Sequence, residues 1–161
     1  MTRAEQLLKL ARDANVIIAT AESCTAGLIA GRIADAPGSS AILDRGFVTY
    51  SNAAKMQMLG VKDETLRDFG AVSEETAKEM AEGALGRSGA NLAVSVTGIA
   101  GPGGSDHKPE GRVCFGLAVD NAPTVVETIE FGAIGRDNVR AATVDYALDL
   151  LIAAIRKMPK I

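Results

Sequence analysis

Four stretches of this chain carry side chains whose types and spacing could do chemistry. The first is Thr20-Ala21-Glu22-Ser23-Cys24-Thr25-Ala26-Gly27. Ser23, Cys24 and Thr25 offer three nucleophilic atoms at the junction of an apolar run and a helical pattern. Strand ends of this kind gather binding sites in α/β folds, and free backbone N–H groups there can hold an anion or an oxyanion. The alternative is that Ser23 or Thr25 caps the helix and Cys24 fills core space. The second is Tyr50-Ser51-Asn52-Ala53-Ala54-Lys55. A lysine in the first turns of a helix meets an unfavourable dipole, and desolvation would lower its pKa further. A neutral lysine is a competent base for a serine hydroxyl, with Tyr50 as relay or support. The alternative is a solvated Lys55, a capping Ser51 and a Tyr50 packed at a strand end.

The third stretch, Ser95-Val96-Thr97-Gly98-Ile99-Ala100-Gly101-Pro102-Gly103-Gly104-Ser105, runs a strand into a glycine-rich loop extending to Gly111. Exposed N–H groups in such a loop can form an anion nest, and fourteen residues without regular structure are unusual unless functional. The pattern lacks the Gly-Lys-Ser/Thr of a P-loop and the spacing of a dinucleotide fingerprint. Lys108 and Arg112 could add positive charge; His107 is either catalytic or a solvated loop residue. The fourth is Arg136-Asp137-Asn138-Val139-Arg140, where Arg136 could clamp a phosphate or carboxylate or form surface salt bridges.

The elements that must position these residues follow from periodicity. Helices are expected over 3–14, 25–35, 52–59, 62–69, 74–86 and 137–157, and strands over 16–21, 42–50, 92–97, 112–119 and 125–131. Thr2, Ser51 and Ser73 read as N-caps, the first with Glu5 as a capping box. Asn121-Ala122-Pro123 joins the last two strands as a hairpin. The short run from Val16 reads as a strand buried on both faces. The fold class is α/β, a three-layer α/β/α sandwich with a mixed, mostly buried sheet, in one domain spanning 1–161.

Composition narrows the chemistry. The chain has 161 residues, 47% hydrophobic and 23% charged, enough for a core without disulfides. Aromatic residues make up 4% and Trp is absent, so Ala, Val, Leu and Ile must build that core. A net charge of -3 and no basic tract longer than two residues argue against nucleic-acid binding as the main activity. Two cysteines and one histidine cannot furnish a closed four-ligand zinc site, and no metal is expected. No apolar run approaches a membrane span, and the sparse cysteines without a signal peptide suit a reducing, cytoplasmic setting.

Taken together the motifs resemble the CinA C-terminal domain family and the stand-alone nicotinamide-nucleotide amidases. The likeness is carried by Ala21 to Gly27, by Gly46-Phe47-Val48-Thr49-Tyr50-Ser51-Asn52-Ala53-Ala54-Lys55 and by Val96 to Gly104. Lys108-Pro109-Glu110-Gly111 and Val139-Arg140 add to it. The resemblance implies hydrolysis of the carboxamide of nicotinamide mononucleotide to nicotinate mononucleotide and ammonia, with no cofactor. It places the nucleophile on Ser23, the base on Lys55, the supporting tyrosine on Tyr50 and a site-lining threonine on Thr97. Thr25, Gly98, Gly101, Gly103, Gly104, Arg136 and Arg140 are the expected substrate or phosphate contacts. Members tend to form oligomers. The alternative is a non-catalytic nucleotide-binding or regulatory protein of the same fold, and Cys24 is the rival nucleophile. Two positions depart from the family pattern: Ala26 replaces a glycine, which costs about 1 kcal/mol or more if the backbone has positive φ, and Gly135 replaces an aspartate.

Overall fold

A computed structural model describes residues 1–105 and 107–159. Asp106, within the expected loop, and the last two residues of the expected 1–161 domain lie outside the described residues. Among the described residues, six helices and five strands occur in the order α1 (Arg3–Asp13), β1 (Ile18–Glu22), α2 (Leu28–Ala34), β2 (Leu43–Val48), α3 (Asn52–Leu59), α4 (Asp63–Phe69), α5 (Glu74–Gly86), β3 (Leu92–Gly98), β4 (Arg112–Val119), β5 (Val125–Glu130) and α6 (Arg136–Arg156). A short 3-10 turn, Ser39–Ala41, precedes β2.

The sheet order is β2-β1-β3-β4-β5. β1 pairs parallel with both β2 and β3, while β3, β4 and β5 pair antiparallel, so the sheet is mixed. Alternate strand residues feed two cores, as the strand period of two requires. Ile18 of β1 and Val94 of β3 face α1, α2 and α6, packing with Leu7, Ile33 and Leu148. Ala19, Ala21 and Ala93 face the other side with Leu59, Leu66 and Met80. The alanines on that face let α5 approach the sheet closely. Every residue of β1 is buried, as a central strand covered on both faces must be.

The caps are where the sequence puts them. Thr2, Ser51 and Ser73 side chains accept from the N–H groups of Glu5, Ala54 and Thr76. Several boundaries differ from expectation, β1 beginning at Ile18 rather than Val16 among them, and two bear on the site. β2 stops at Val48 rather than Tyr50, because its partner β1 ends at Glu22; the Thr49 N–H makes the last bond between them, donating to the Glu22 carbonyl at 2.8 Å. α2 begins at Leu28, three residues later than expected. Residues 23–27 form a turn in which Ala26 (φ 49°) and Gly27 (φ 99°) are left-handed. Ala26 therefore takes the conformation in which replacing glycine is costly.

Candidate functional site

The turn at Ser23–Gly27 leaves the carboxyl end of β1 between its neighbours β2 and β3. It is anchored on three sides. The Ser23 N–H donates to Val96 of β3 at 3.1 Å. Arg140 of α6 donates Nε to the Cys24 carbonyl at 3.0 Å and an Nη to that of Thr25 at 3.5 Å. From beneath, Glu22, which is 1% exposed, accepts from Thr25 Oγ1 at 2.6 Å and from the N–H groups of Ile29 and Ala30 at 2.9 and 3.0 Å. Its carboxylate thus satisfies the first amides of α2, where a negative charge is favoured by the helix dipole.

Ser51 starts α3 directly after β2, which puts Lys55 in the first turn and aims it back at β1. Lys55 is 1% exposed. Its Nζ donates to Ser23 Oγ at 3.1 Å and to the Thr49 carbonyl at 2.9 Å. Among the described residues no carboxylate lies within ion-pair distance of this amine. Burial pushes its pKa below the ordinary lysine value, with the neighbouring Cys24 opposing the shift. A neutral amine has two N–H donors and one lone pair. With one N–H on the Thr49 carbonyl, the lone pair can face the Ser23 hydroxyl. Burial pushes the Cys24 thiol up to about 11, which leaves it protonated at neutral pH and a poor nucleophile.

Ser23, Cys24 and Lys55 open into a cleft of about 350 Å³ that is also lined by Tyr50, Asn52, Thr97, Arg136 and the Gly98–Ser105 loop. Thr97 is buried, and its hydroxyl donates to the Ala71 carbonyl at 2.8 Å, tying the end of β3 to the segment before α5. Arg136, at the first turn of α6, donates to the Gly101 carbonyl at 2.7 Å and to Tyr50 Oη at 2.8 Å, bridging the rim. Among the described residues, the backbone N–H groups of Cys24, Ala100, Gly101 and Gly104 donate to no protein acceptor, so this cleft retains donors for an anion.

The structure thus brings Ser23, Lys55, Tyr50, Thr97, Gly98, Gly101, Gly103, Gly104 and Arg136 to one cleft. It does not bring Thr25 or Arg140 there: Thr25 is fully buried on Glu22, and Arg140 braces the turn from the α2–α6 side. Tyr50 is 58% exposed, with its hydroxyl on Arg136 rather than on Lys55. Nor do Lys108 and Arg112 bring charge to the cleft. Lys108 donates to the Phe69 and Val72 carbonyls, and Arg112 pairs with Glu130 at 2.6 Å. His107 is exposed in the loop and does not line the cleft. Gly135 has φ 99° and ψ 146°, a conformation in which an aspartate would be strained. Glu22 and Thr49 join the site beyond the residues expected from the sequence. The signal for Glu22 was a carboxylate at the end of an otherwise uncharged buried strand; Thr49 acts through its backbone and gave none.

A family model described as the CinA C-terminal domain matches residues 1–155. The chain belongs to that family. A CinA-like protein of Chlorobium phaeobacteroides is 65% identical over 105 residues, covering 65% of this chain and 25% of the relative. Another from Chloroherpeton thalassium is 46% identical over 157 residues, covering 93% of this chain and 37% of its own length. This chain therefore spans about a quarter to over a third of these curated relatives. Among solved structures, the competence/damage inducible protein CihA from Agrobacterium tumefaciens is 49% identical with a TM-score of 0.89, covering 98% of both chains. The competence damage-inducible protein A (ComA) from Klebsiella pneumoniae is 34% identical with a TM-score of 0.93, covering 98% of this chain and 97% of its own. The α/β fold described above is thus that of CinA-family structures.

Proposed function

We propose that this CinA-family domain is a serine-type amidohydrolase whose substrate is the carboxamide of nicotinamide mononucleotide. The observation that carries this reading is the buried Lys55 amine, 3.1 Å from Ser23 Oγ and with no carboxylate at ion-pair distance among the described residues. A serine needs a base to become a nucleophile, and burial shifts this amine toward its neutral, basic form. Lys55 accepts the Ser23 proton as Oγ attacks the amide carbon. The N–H of Cys24, together with those of Ala100 and Gly101, supplies donors for the oxyanion. The Lys55 ammonium then returns the proton to the departing nitrogen, releasing ammonia and leaving an ester on Ser23. A water molecule, deprotonated by Lys55, attacks that ester; the proton passes to Ser23 Oγ and the carboxylate product leaves.

Arg136 and the loop amides are the groups available to hold the phosphate. Tyr50 has its place in this reading as a rim residue that orients Arg136. Ser23→Ala is expected to abolish ammonia release from nicotinamide mononucleotide while leaving the circular dichroism spectrum and unfolding midpoint close to wild type. Retained turnover in that variant would refute the serine mechanism. Cys24→Ala, by contrast, is expected to retain turnover.

A further inference from the structure

The glycine loop already holds an anion of the protein's own. Gly103 donates its backbone N–H to the Glu110 carboxylate. Gly101 has φ 92°, and a Cβ built there would fall 2.6 Å from Glu110 Cδ and 2.8 Å from Oε1. The side chain therefore occupies the space that the missing Cβ leaves open. Among the described residues Glu110 forms no ion pair: Lys108 is committed to two carbonyls, and Arg112 to Glu130. Glu110 does not line the cleft, but Gly101 and Gly103, which it touches, do. On its other side Gly101 presents its carbonyl to Arg136. One residue of the loop thus separates the cationic rim from an uncompensated negative charge.

We propose that Glu110 is a specificity-determining residue that weakens anion binding by the loop. Its carboxylate removes the Gly103 N–H from the set of free donors. It also repels a ligand anion held by Arg136 and the remaining amides. The consequence is a lower preference for the charged end of a phosphorylated substrate than the loop and Arg136 would otherwise give. This rests on the proposed reading only for its catalytic consequence; the binding effect stands on the loop geometry.

The test compares the full chain with Glu110→Gln, which keeps an acceptor for Gly103 and removes the charge. Inorganic phosphate is the probe, followed by NMR titration of the backbone amides of Ala100, Gly101 and Gly104. Phosphate affinity is expected to rise about fivefold at low ionic strength, and the gain to shrink in about 0.15 M salt. A loop merely loosened by the substitution would bind phosphate more weakly and show no such salt dependence. Unchanged or weaker binding in Glu110→Gln overturns the proposal, as does absence of phosphate binding at these amides in both proteins. In the catalytic assay the variant is expected to lower KM for nicotinamide mononucleotide while leaving kcat, and KM for the unphosphorylated riboside, within about twofold. Equal changes for both substrates overturn the proposal too. If neither protein turns over any amide, the proposed function fails while the phosphate titration still decides the role of Glu110.

Discussion

Replacing Lys55 by Met separates the two roles that burial gives this side chain. The substitution keeps much of the apolar stem and removes an amine that donates to Ser23 Oγ and to the Thr49 carbonyl. Leaving that carbonyl without its partner costs about 1–3 kcal/mol. Against this, a folded state that disfavours the protonated amine carries a penalty in wild type, about 1.4 kcal/mol for each unit by which the pKa is lowered. The two effects oppose each other, so the stability change at neutral pH is expected to be small, within about 2 kcal/mol. Its pH dependence is the decisive observable. The unfolded chain keeps its lysine proton up to the ordinary value of 10.5, whereas the folded protein releases it at lower pH. Between the two values the unfolded state binds more protons, so wild type gains stability relative to Lys55→Met as pH rises. The slope grows toward about 1.4 kcal/mol per pH unit. Cys24 acts in the opposite sense, because a thiol raised from 9.0 to about 11 loses its stabilising contribution as pH climbs through that window. Both proteins should therefore carry Cys24→Ala. Urea unfolding from about pH 7 to about pH 10 then reads the difference directly. Parallel stability curves would refute a depressed Lys55 pKa, and with it the basis for a neutral base. In the proposed reaction the same variant loses about 10²–10⁴-fold in kcat, the usual scale for a missing general base.

The remaining predictions concern the turn and the strand that hold Ser23. Glu22→Gln leaves one oxygen and an NH2 group facing three donors; a loss of about 3 kcal/mol is expected in urea unfolding, together with weakened protection of the Ile29 and Ala30 amides from hydrogen exchange. Full stability in that variant would show that the carboxylate does not hold the start of α2. Ala26→Gly relieves a left-handed backbone at the expense of a more flexible unfolded chain, so stability rises by about 0.5 kcal/mol; a loss would mean that the alanine methyl makes a contact worth more than the strain. Thr20 Oγ1 is buried and has no hydrogen-bond partner among the described residues. Thr20→Val removes that unsatisfied hydroxyl and is expected to raise stability by about 1 kcal/mol, and a lower unfolding midpoint would contradict it.

Local pattern in the sequence determined the layers of this protein. Alternating and continuous apolar runs marked all five strands, the caps at Thr2, Ser51 and Ser73 marked helix starts, and the glycine-rich stretch after Val96 marked the loop that walls the cleft. Those signals are local because they rest on side-chain periodicity and on hydrogen bonds within a few residues. The helical pattern extends back over Thr25 to Gly27, yet these residues form a turn, because local residue type does not report that Ala26 is left-handed. Packing between Glu22 below and Arg140 behind imposes that turn.

Tertiary structure alone decided which polar groups meet. Ser23 and Lys55 are 32 residues apart, and the parallel pairing of β1 with β2 brings them to 3.1 Å. Tyr50 is closer to Lys55 in sequence than Ser23 is, yet its hydroxyl meets Arg136, 86 residues away, because β2 ends before it and leaves it at the rim. Thr25 and Arg140 carry the right chemistry for a ligand but spend it on the scaffold, and Glu110 turns out to share the loop with the expected anion site. The burial that lowers the Lys55 pKa also has no local signature, since it arises from the elements packed around the amine. Local residue patterns were enough for the elements and the candidate nucleophiles. Which hydroxyl, amine and amides stand together in one cleft was set by strand order and by contacts distant along the chain.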